Sequence, residues 1–136
     1  MTIFIDASAI VAMIAREPEA NRFAQYLAPE ESRLTSPIAL WEAVRGVANA
    51  RGIEIDEARA LVADFVRESA LQLVPIDAEI GELALDAHQQ YGKGVHEAWL
   101  NMGDCFAYAC TKKHDAEIMF KGDDFIHTDL KDAMLP

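Results

Sequence analysis

Four short β-prone segments alternate along the chain with longer segments in which apolar residues recur every three to four positions. The short segments are Ile3–Ile5, Leu34–Thr35, Leu71–Ile76 and Ile118–Phe120. They lack a regular apolar and polar alternation, which is typical of strands buried on both faces of a sheet. Because strands that alternate with helices pair in parallel through right-handed crossovers, the pattern predicts a three-layer α/β/α domain with four or five mostly parallel strands.

Small polar residues, proline and glycine mark the ends of the predicted helices. Ser8 is expected to cap a first helix that runs from residue 9 to about residue 15, and residues 18–28 form the second. Ser36 begins a helix that runs to about residue 51, where Gly52 ends it. Asp56 and Asp77 are expected to begin the next two helices, and Gly92 is expected to end the second of them. The pair Gly103-Asp104 is expected to begin the last helix.

The apolar stripes predict which side of each helix faces the core. In the helix over residues 36–51, the expected inner positions are Ile38, Trp41, Val44 (or Arg45) and Ala48. In the last helix, Cys105 and Cys110 lie in an apolar stretch without CxxC spacing, so we expect them to pack as small hydrophobic residues. After the fourth strand, the chain is expected to add a last strand or a turn.

Composition and charge place limits on function. The 136 residues contain 51% apolar residues, 12 Lys and Arg and 23 Asp and Glu, so the formal net charge is −11. This balance suits one domain over residues 1–136 and argues against binding nucleic acid on a broad basic surface. The acidic charge does not exclude an enzyme that binds nucleic acid through bound cations. There is no membrane-spanning run and no basic leader segment, so the expected location is cytoplasmic.

Acidic residues follow two of the predicted strands. Asp6 comes directly after the first strand, and Asp123 and Asp124 come after the fourth. Since the carboxyl ends of parallel strands meet at one edge of a sheet, these side chains are expected to lie close together. Asp104 opens an almost uncharged helix and belongs either to a helix cap or to the same site.

Two further polar residues have alternative interpretations. Glu42 borders the apolar face of its helix, where it either joins the acidic site or forms a boundary salt bridge with Arg45. His96 lies in the glycine-bearing loop over residues 92–103, beside Lys93, within reach of a phosphate. The four histidines show no metal-ligand spacing, and no phosphate-binding loop or hydrolase motif is present.

A cluster of three or four carboxylates has one main chemical use. Mutual repulsion raises their pKa values unless a cation is bound, and Mg²⁺ or Mn²⁺ prefers oxygen ligands. Such ions position and activate a water and stabilise phosphate charge during an in-line displacement. The cluster therefore predicts phosphodiester hydrolysis.

Four segments, in this order and at this spacing, resemble the PIN-domain ribonucleases and, within them, the VapC toxins of bacterial toxin–antitoxin pairs. They are Phe4–Ala9, Leu40–Glu42, Tyr91–Gly94 with His96 and Leu100–Tyr108, and Phe120–Phe125 with Thr128-Asp129. The resemblance covers nearly the whole chain. It implies a PIN-like α/β/α domain that acts as a Mg²⁺-dependent endoribonuclease, with Mn²⁺ as a possible substitute.

The resemblance also assigns roles to residues. Asp6, Glu42, Asp104 and Asp123 correspond to the catalytic acids, with Asp6 and Asp104 as metal ligands. Two aspartates stand side by side in the last motif, so Asp124 is the alternative fourth acid. The expected supporting contacts to carboxylates or phosphate come from Ser8, Asn101 and His96.

The partners that the resemblance implies are an RNA substrate (tRNA or ribosomal RNA), a small cognate antitoxin and a second copy of the chain. With the antitoxin, a heterotetramer or larger assembly is expected. Two alternatives remain open at this point. One is a PIN-fold module that binds RNA or protein without cleaving, and the other is a metal-dependent nuclease that acts on DNA.

Overall fold

The computed structural model of the chain describes residues 1–135. The strands are β1 (Thr2–Ile5), β2 (Ser32–Thr35), β3 (Gln72–Leu73) and β4 (Glu117–Met119). The helices are α1 (Ala7–Ile14), α2 (Ala20–Leu27), α3 (Pro37–Arg51), α4 (Ile55–Glu68), α5 (Ala78–Tyr91) and α6 (Met102–Lys113). Within the described residues, no helix combines the length and apolar character needed to cross a bilayer.

The four strands pair in parallel in the order β3-β2-β1-β4. From β1 the chain moves outward to β2 and then to β3, and it returns across the sheet to β4. Because crossovers between parallel strands are right-handed, the helices before and after this reversal cover opposite faces. Helices α1 to α4 form one layer and α5 with α6 forms the other, which confirms the predicted three-layer α/β/α architecture.

The reversal of direction lies between β1 and β4. In open parallel sheets, the connections at such a point leave in opposite directions and open a crevice at the carboxyl ends of the strands. The Asp6 amide donates to the carbonyl of Met119 at 2.9 Å, so the two strand ends are held together at the floor of this crevice.

Most predicted helix ends are confirmed, and three predicted starts are wrong. One of these is Gly103-Asp104, because α6 begins at Met102 with Asn101 as its cap. The Ser36 hydroxyl accepts from the Ala39 amide at 3.0 Å, and Gly52 ends α3 with φ of +63°. The cap of α1 is Asp6 rather than Ser8, because its carboxylate accepts from the Ser8 amide at 3.1 Å. Helix α4 begins one residue before Asp56, which therefore lies in its first turn.

Of the predicted inner positions of α3, Ala48 is buried and Val44 packs against the core, but Trp41 does not. The buried residues are Ala39, Ala43, Val47 and Ala48, whereas Trp41 is 62% exposed. The cause is close helix packing, since a Cβ placed on Gly46 would lie 2.6 Å from a methyl of Val11 in α1. Small residues allow this approach, and the indole of Trp41 would prevent it.

The third strand is shorter than predicted, and the fourth is shifted by one residue, to Glu117–Met119. Only Gln72 and Leu73 of the expected third strand pair with β2, and Pro75 ends the ladder because it has no amide hydrogen. After β4, the described residues form turns with a single bridge between Ile118 and Asp132 instead of a fifth strand. Cys105 and Cys110 are buried free thiols, as predicted.

Candidate active site

Asp6 lies at the floor of the crevice, where β1 ends and α1 begins. Its side chain is almost fully buried, with 6% of the residue exposed. One carboxylate oxygen accepts from both the amide and the hydroxyl of Ser8, at 3.1 and 2.6 Å. These bonds fix the carboxylate against the first turn of α1.

Ser8 links the ends of β1 and β4. While its hydroxyl donates to Asp6, the same oxygen accepts from the Lys121 amide at 3.0 Å. The ammonium of Lys121 is 3.1 Å from Glu17 and 3.4 Å from Glu19. Ser8 therefore orients the Asp6 carboxylate, and the ammonium of Lys121 is held by other acids.

Asp104 and Asn101 form a reciprocal cap at the start of α6. The Asn101 side chain accepts from the Asp104 amide at 2.8 Å, and the Asp104 carboxylate accepts from the Asn101 amide at 3.2 Å. Asp104 is 8% exposed. Capping and participation in the acidic site are thus compatible, because the cap uses one carboxylate oxygen and fixes the direction of the other.

Glu42 reaches from α3 to the start of α6. A Cβ placed on Gly103 would collide with the carboxylate of Glu42, so only glycine allows this approach. The alternative salt bridge does not form, since the Arg45 guanidinium stacks over the Trp41 ring at 5.1 Å. Gly103 was not among the predicted site residues, although a glycine in the first turn of a helix is a signal of close approach.

Of the two adjacent aspartates after β4, Asp124 is the one whose charge acts on the other acids. Its charge contributes to raising the pKa of Asp6, Glu42 and Asp104. Burial and then the charge of Asp123 raise the pKa of Asp124, and Asp123 is not among the charges that act on the other three acids. These charge interactions favour Asp124 over Asp123 as the fourth acid, and the choice between the two stays a prediction.

Burial is the main cause of the raised pKa values, and like charge adds to it. Desolvation, followed by repulsion from Asp6 and Asp124, raises the pKa of Glu42 to about 7. Desolvation and then Asp124 raise the pKa of Asp104 to about 7. The pKa of Asp6 is raised in the same direction, again by burial first.

The cluster has the donor chemistry of a divalent cation site. Among residues 1–135, no ion pair involves Asp6, Glu42, Asp104 or Asp124. In the same range, no three Asp, Glu, His or Cys side chains converge closely enough to cage an ion by themselves. Carboxylate oxygens are the ligands that hard cations such as Mg²⁺ prefer, and a cation at this cluster stays a prediction.

These pKa values predict how stability depends on pH. Glu42 and Asp104 have ordinary pKa values of 4.5 and 3.8 that folding raises to about 7. Their neutral forms therefore favour the folded state at low pH, and this contribution is lost as the pH rises toward 7. We expect the Tm of the metal-free protein to fall by a few degrees between pH 5 and pH 8. Mg²⁺ should raise the Tm more at pH 8 than at pH 5.

A matched pair of variants separates this effect from the general negative charge. Glu42→Gln should flatten the pH dependence of Tm, whereas Glu82→Gln removes a charge from an exposed position of α5 and should leave the slope unchanged. A wild-type Tm that is constant from pH 5 to pH 8 would contradict the expectation.

His96 has a structural contact that the sequence does not reveal. Its Nδ1 atom accepts from the Ala98 amide at 3.0 Å, and its ring meets the Tyr91 ring edge-on at 5.2 Å between centroids. These contacts order the loop before Asn101. A phosphate contact by His96 stays a prediction.

Comparisons with known proteins agree with this architecture. A family model described as PIN domain matches residues 3–131. A VapC ribonuclease of Rhizobium meliloti (strain 1021) is 39% identical over 139 residues, which cover 93% of this chain and 98% of the relative. Ribonuclease VapC30 of Mycobacterium tuberculosis is 38% identical over 137 residues, covering 97% of this chain and 98% of the relative.

A solved structure shares the fold. The crystal structure of Mycobacterium tuberculosis VapC20, described as a sarcin–ricin loop cleaving toxin, superposes with a TM-score of 0.77 at 17% identity. The match covers 95% of this chain and 96% of the other. From the family match and the two relatives, the chain belongs to the PIN-domain family and, within it, to the VapC ribonucleases.

Proposed function

We propose that this protein is a divalent-metal-dependent endoribonuclease and the toxin of a toxin–antitoxin pair. The observation that carries the proposal is the set of four carboxylates at the carboxyl edge of the sheet. They share one crevice, their pKa values are raised, and no ion pair among the described residues neutralises them. Membership of the VapC ribonucleases makes RNA the substrate.

Asp6 and Asp104 are the proposed ligands of Mg²⁺, with Mn²⁺ as a substitute. Each is nearly buried, and each has one carboxylate oxygen fixed by a bond from its own helix start. When bound, the ion would supply positive charge for the phosphate and lower the pKa of a water. Glu42 and Asp124 would hold a second ion or orient the attacking water as it gives up a proton.

The supporting residues orient these carboxylates. Ser8 holds Asp6 by its hydroxyl, and Asn101 holds Asp104 through the cap. Partners that tune a ligand in this way are typically worth 10- to 100-fold in metal affinity or activity. Cleavage is expected to leave a 5′-phosphate and a 3′-hydroxyl, with no covalent enzyme intermediate.

The proposed partners are a cognate antitoxin and a second copy of the chain, in a heterotetramer or larger assembly. The proposed substrates are tRNA and ribosomal RNA. The structural neighbour VapC20 is described as cleaving the sarcin–ricin loop, which makes ribosomal RNA a reasonable first substrate to test.

A cleavage assay on total cellular RNA tests the function. The purified protein, freed of antitoxin, is incubated with Mg²⁺, with Mn²⁺ or with EDTA, and the product 5′ ends are sequenced. Discrete cuts that require the metal are expected, and single-stranded DNA should remain intact. Absence of cuts from folded protein on ribosome and tRNA substrates would overturn the proposal and favour a binding module.

The two adjacent aspartates provide an internal comparison. Asp124→Asn should reduce cleavage by at least about tenfold, because Asp124 is the charge that acts on the other three acids. Asp123→Asn makes the same chemical change one residue away and should retain most activity. Equal losses in initial rate would contradict the assignment of Asp124.

A further inference from the structure

Both tryptophans of the chain are exposed and lie beside elements of the acidic site. Trp41 is 62% exposed and directly precedes Glu42, while Trp99 is 57% exposed and lies two residues before Asn101. Large aromatic side chains are usually buried because they contribute most to the core. Their exposure at the rim of a site therefore calls for a function.

Helix geometry places Trp41 at the rim. Helix α3 begins at Pro37, directly after the carboxyl end of β2, so Trp41 lies about one turn from the edge where the acids gather. Glu42 is the next residue, so its side chain projects about 100° further around the helix and points into the crevice. The indole and the catalytic carboxylate are thus neighbours that face different directions.

The surroundings of Trp41 are apolar and positively charged in a chain whose net charge is −11. Trp41 lines a groove between α3 and α4 with seven apolar neighbours: Pro37, Leu40, Val44, Ile55, Val62, Ala63 and Val66. Among the groove residues that the structure describes, the charged ones are Arg45 and Arg59, and none is acidic. This combination favours an occupant that has flat apolar surfaces and negative charge.

Arg45 prepares the indole for stacking. Its guanidinium lies over the Trp41 ring, with 5.1 Å between the guanidinium carbon and the ring centroid. This contact limits the motion of both side chains and covers one face of the ring. The exposed fraction of 62% leaves a second face for another planar group.

We propose that Trp41 and Arg45 form a base-stacking platform for the RNA substrate, with Arg45 and Arg59 holding the adjoining phosphates. The proposal rests on the proposed function and deepens it. Proteins recognise unpaired RNA bases by stacking them on aromatic rings and guanidinium planes, and a paired duplex does not offer such faces. The platform therefore selects RNA that is single-stranded next to the cleaved bond.

Fluorescence gives a direct test of binding that does not depend on cleavage. In the full chain carrying Trp99→Phe, Trp41 is the sole tryptophan, and Asp6→Asn keeps the RNA intact. The probe is a mixed-sequence RNA of about 12 nucleotides, offered single-stranded or as a perfect duplex. We expect single strands to quench the Trp41 emission and the duplex to quench it weakly.

Variants then measure the contribution of the platform. Trp41→Ala should weaken binding of the single-stranded RNA about tenfold or more by anisotropy, and Trp41→Phe should restore most of the affinity. In cleavage assays on the otherwise wild-type chain, Trp41→Ala should raise KM by a similar factor and change kcat little. Because Trp41 is exposed, both variants should keep the wild-type Tm.

Tyr26 supplies a matched control. Arg22 lies over its ring at 5.7 Å, so the same kind of pair occurs on α2. Tyr26 is 38% exposed and precedes the amino end of β2, at the opposite edge of the sheet. Tyr26→Ala should leave RNA binding unchanged.

The outcomes separate the platform from the proposed function. If cleavage is metal-dependent but Trp41→Ala binds and cleaves RNA like the wild type, the stacking proposal is wrong and the groove serves a protein partner. If no cleavage occurs but Trp41 emission is quenched and the affinity depends on Trp41, the platform stands and the nuclease function fails. Equal quenching by the duplex would also overturn the platform.

Discussion

Replacing Asp6 with Asn is expected to reduce the rate of RNA cleavage by more than about 100-fold while the protein stays folded. The expected loss exceeds that of a supporting residue because Asp6 is a proposed direct ligand of the metal. The fold should tolerate the change since Asn is also a good helix cap and its side-chain oxygen can accept from Ser8. The carboxylate is buried with a raised pKa, so removal of its charge also relieves repulsion.

Three measurements check this expectation. Initial cleavage rates with saturating Mg²⁺ give the loss of activity, and thermal melts give the stability. Melts with and without Mg²⁺ show whether the cation still stabilises the fold. In the variant we expect a Tm at or above the wild-type value in EDTA and a smaller increase on addition of Mg²⁺.

Asp86→Asn is the control for the same chemical change. Asp86 lies on the exposed side of α5, and its replacement should alter neither the rate nor the response to Mg²⁺. Asp104→Asn should behave like Asp6→Asn. Full activity of either cluster variant in a preparation free of wild-type protein would exclude that residue as an essential metal ligand.

Replacing Gly103 with Ala should reduce kcat by about 100-fold although it adds only a methyl group. The new Cβ would occupy the space of the Glu42 carboxylate. The colliding atoms are the end of a flexible side chain, so Glu42 should rotate away and the helix should remain intact. A displacement of about 1 Å at a reacting group costs activity of this order.

Stability separates this displacement from a folding defect. Alanine favours helices over glycine by about 1 kcal/mol, which should offset part of the cost of the collision. Gly81→Ala is the matched control, because nothing lies within 4 Å of its added Cβ in α5. It should stabilise the protein by about 0.5–1 kcal/mol and leave the rate unchanged. Wild-type activity in Gly103→Ala would show that the position of Glu42 is unimportant.

The layered fold could be read from the chain because its signals are local. The segment Ile3–Ile5 is apolar at consecutive positions, which predicts a buried strand. Ser36 followed by Pro37 is a helix-start signal that acts on the backbone of the same few residues. The resemblance to VapC toxins then pointed to Asp6, Glu42 and Asp104, which the structure brings to one edge. Asp6 and Asp104 lie directly beside element ends, where position along the chain implies position in space.

The errors concern distances between elements. Trp41 was predicted to face the core because its spacing from Ile38 is helical, but spacing does not reveal that α1 approaches α3 too closely for an indole. The choice between Asp123 and Asp124 cannot be made from the sequence for a similar reason. Consecutive side chains in a turn point in different directions, and only the backbone path after Gly122 determines which one meets the other acids.

The sequence by itself determined the order of strands and helices, the parallel sheet and the edge at which the acids collect, because hydrophobic period and capping act over a few residues. The tertiary structure decided which carboxylates share a crevice, why α6 needs Gly103 and why Trp41 is exposed. These features depend on contacts between segments that are far apart in the chain. Such contacts depend on the packing of whole helices, for which short stretches of sequence contain no local signal.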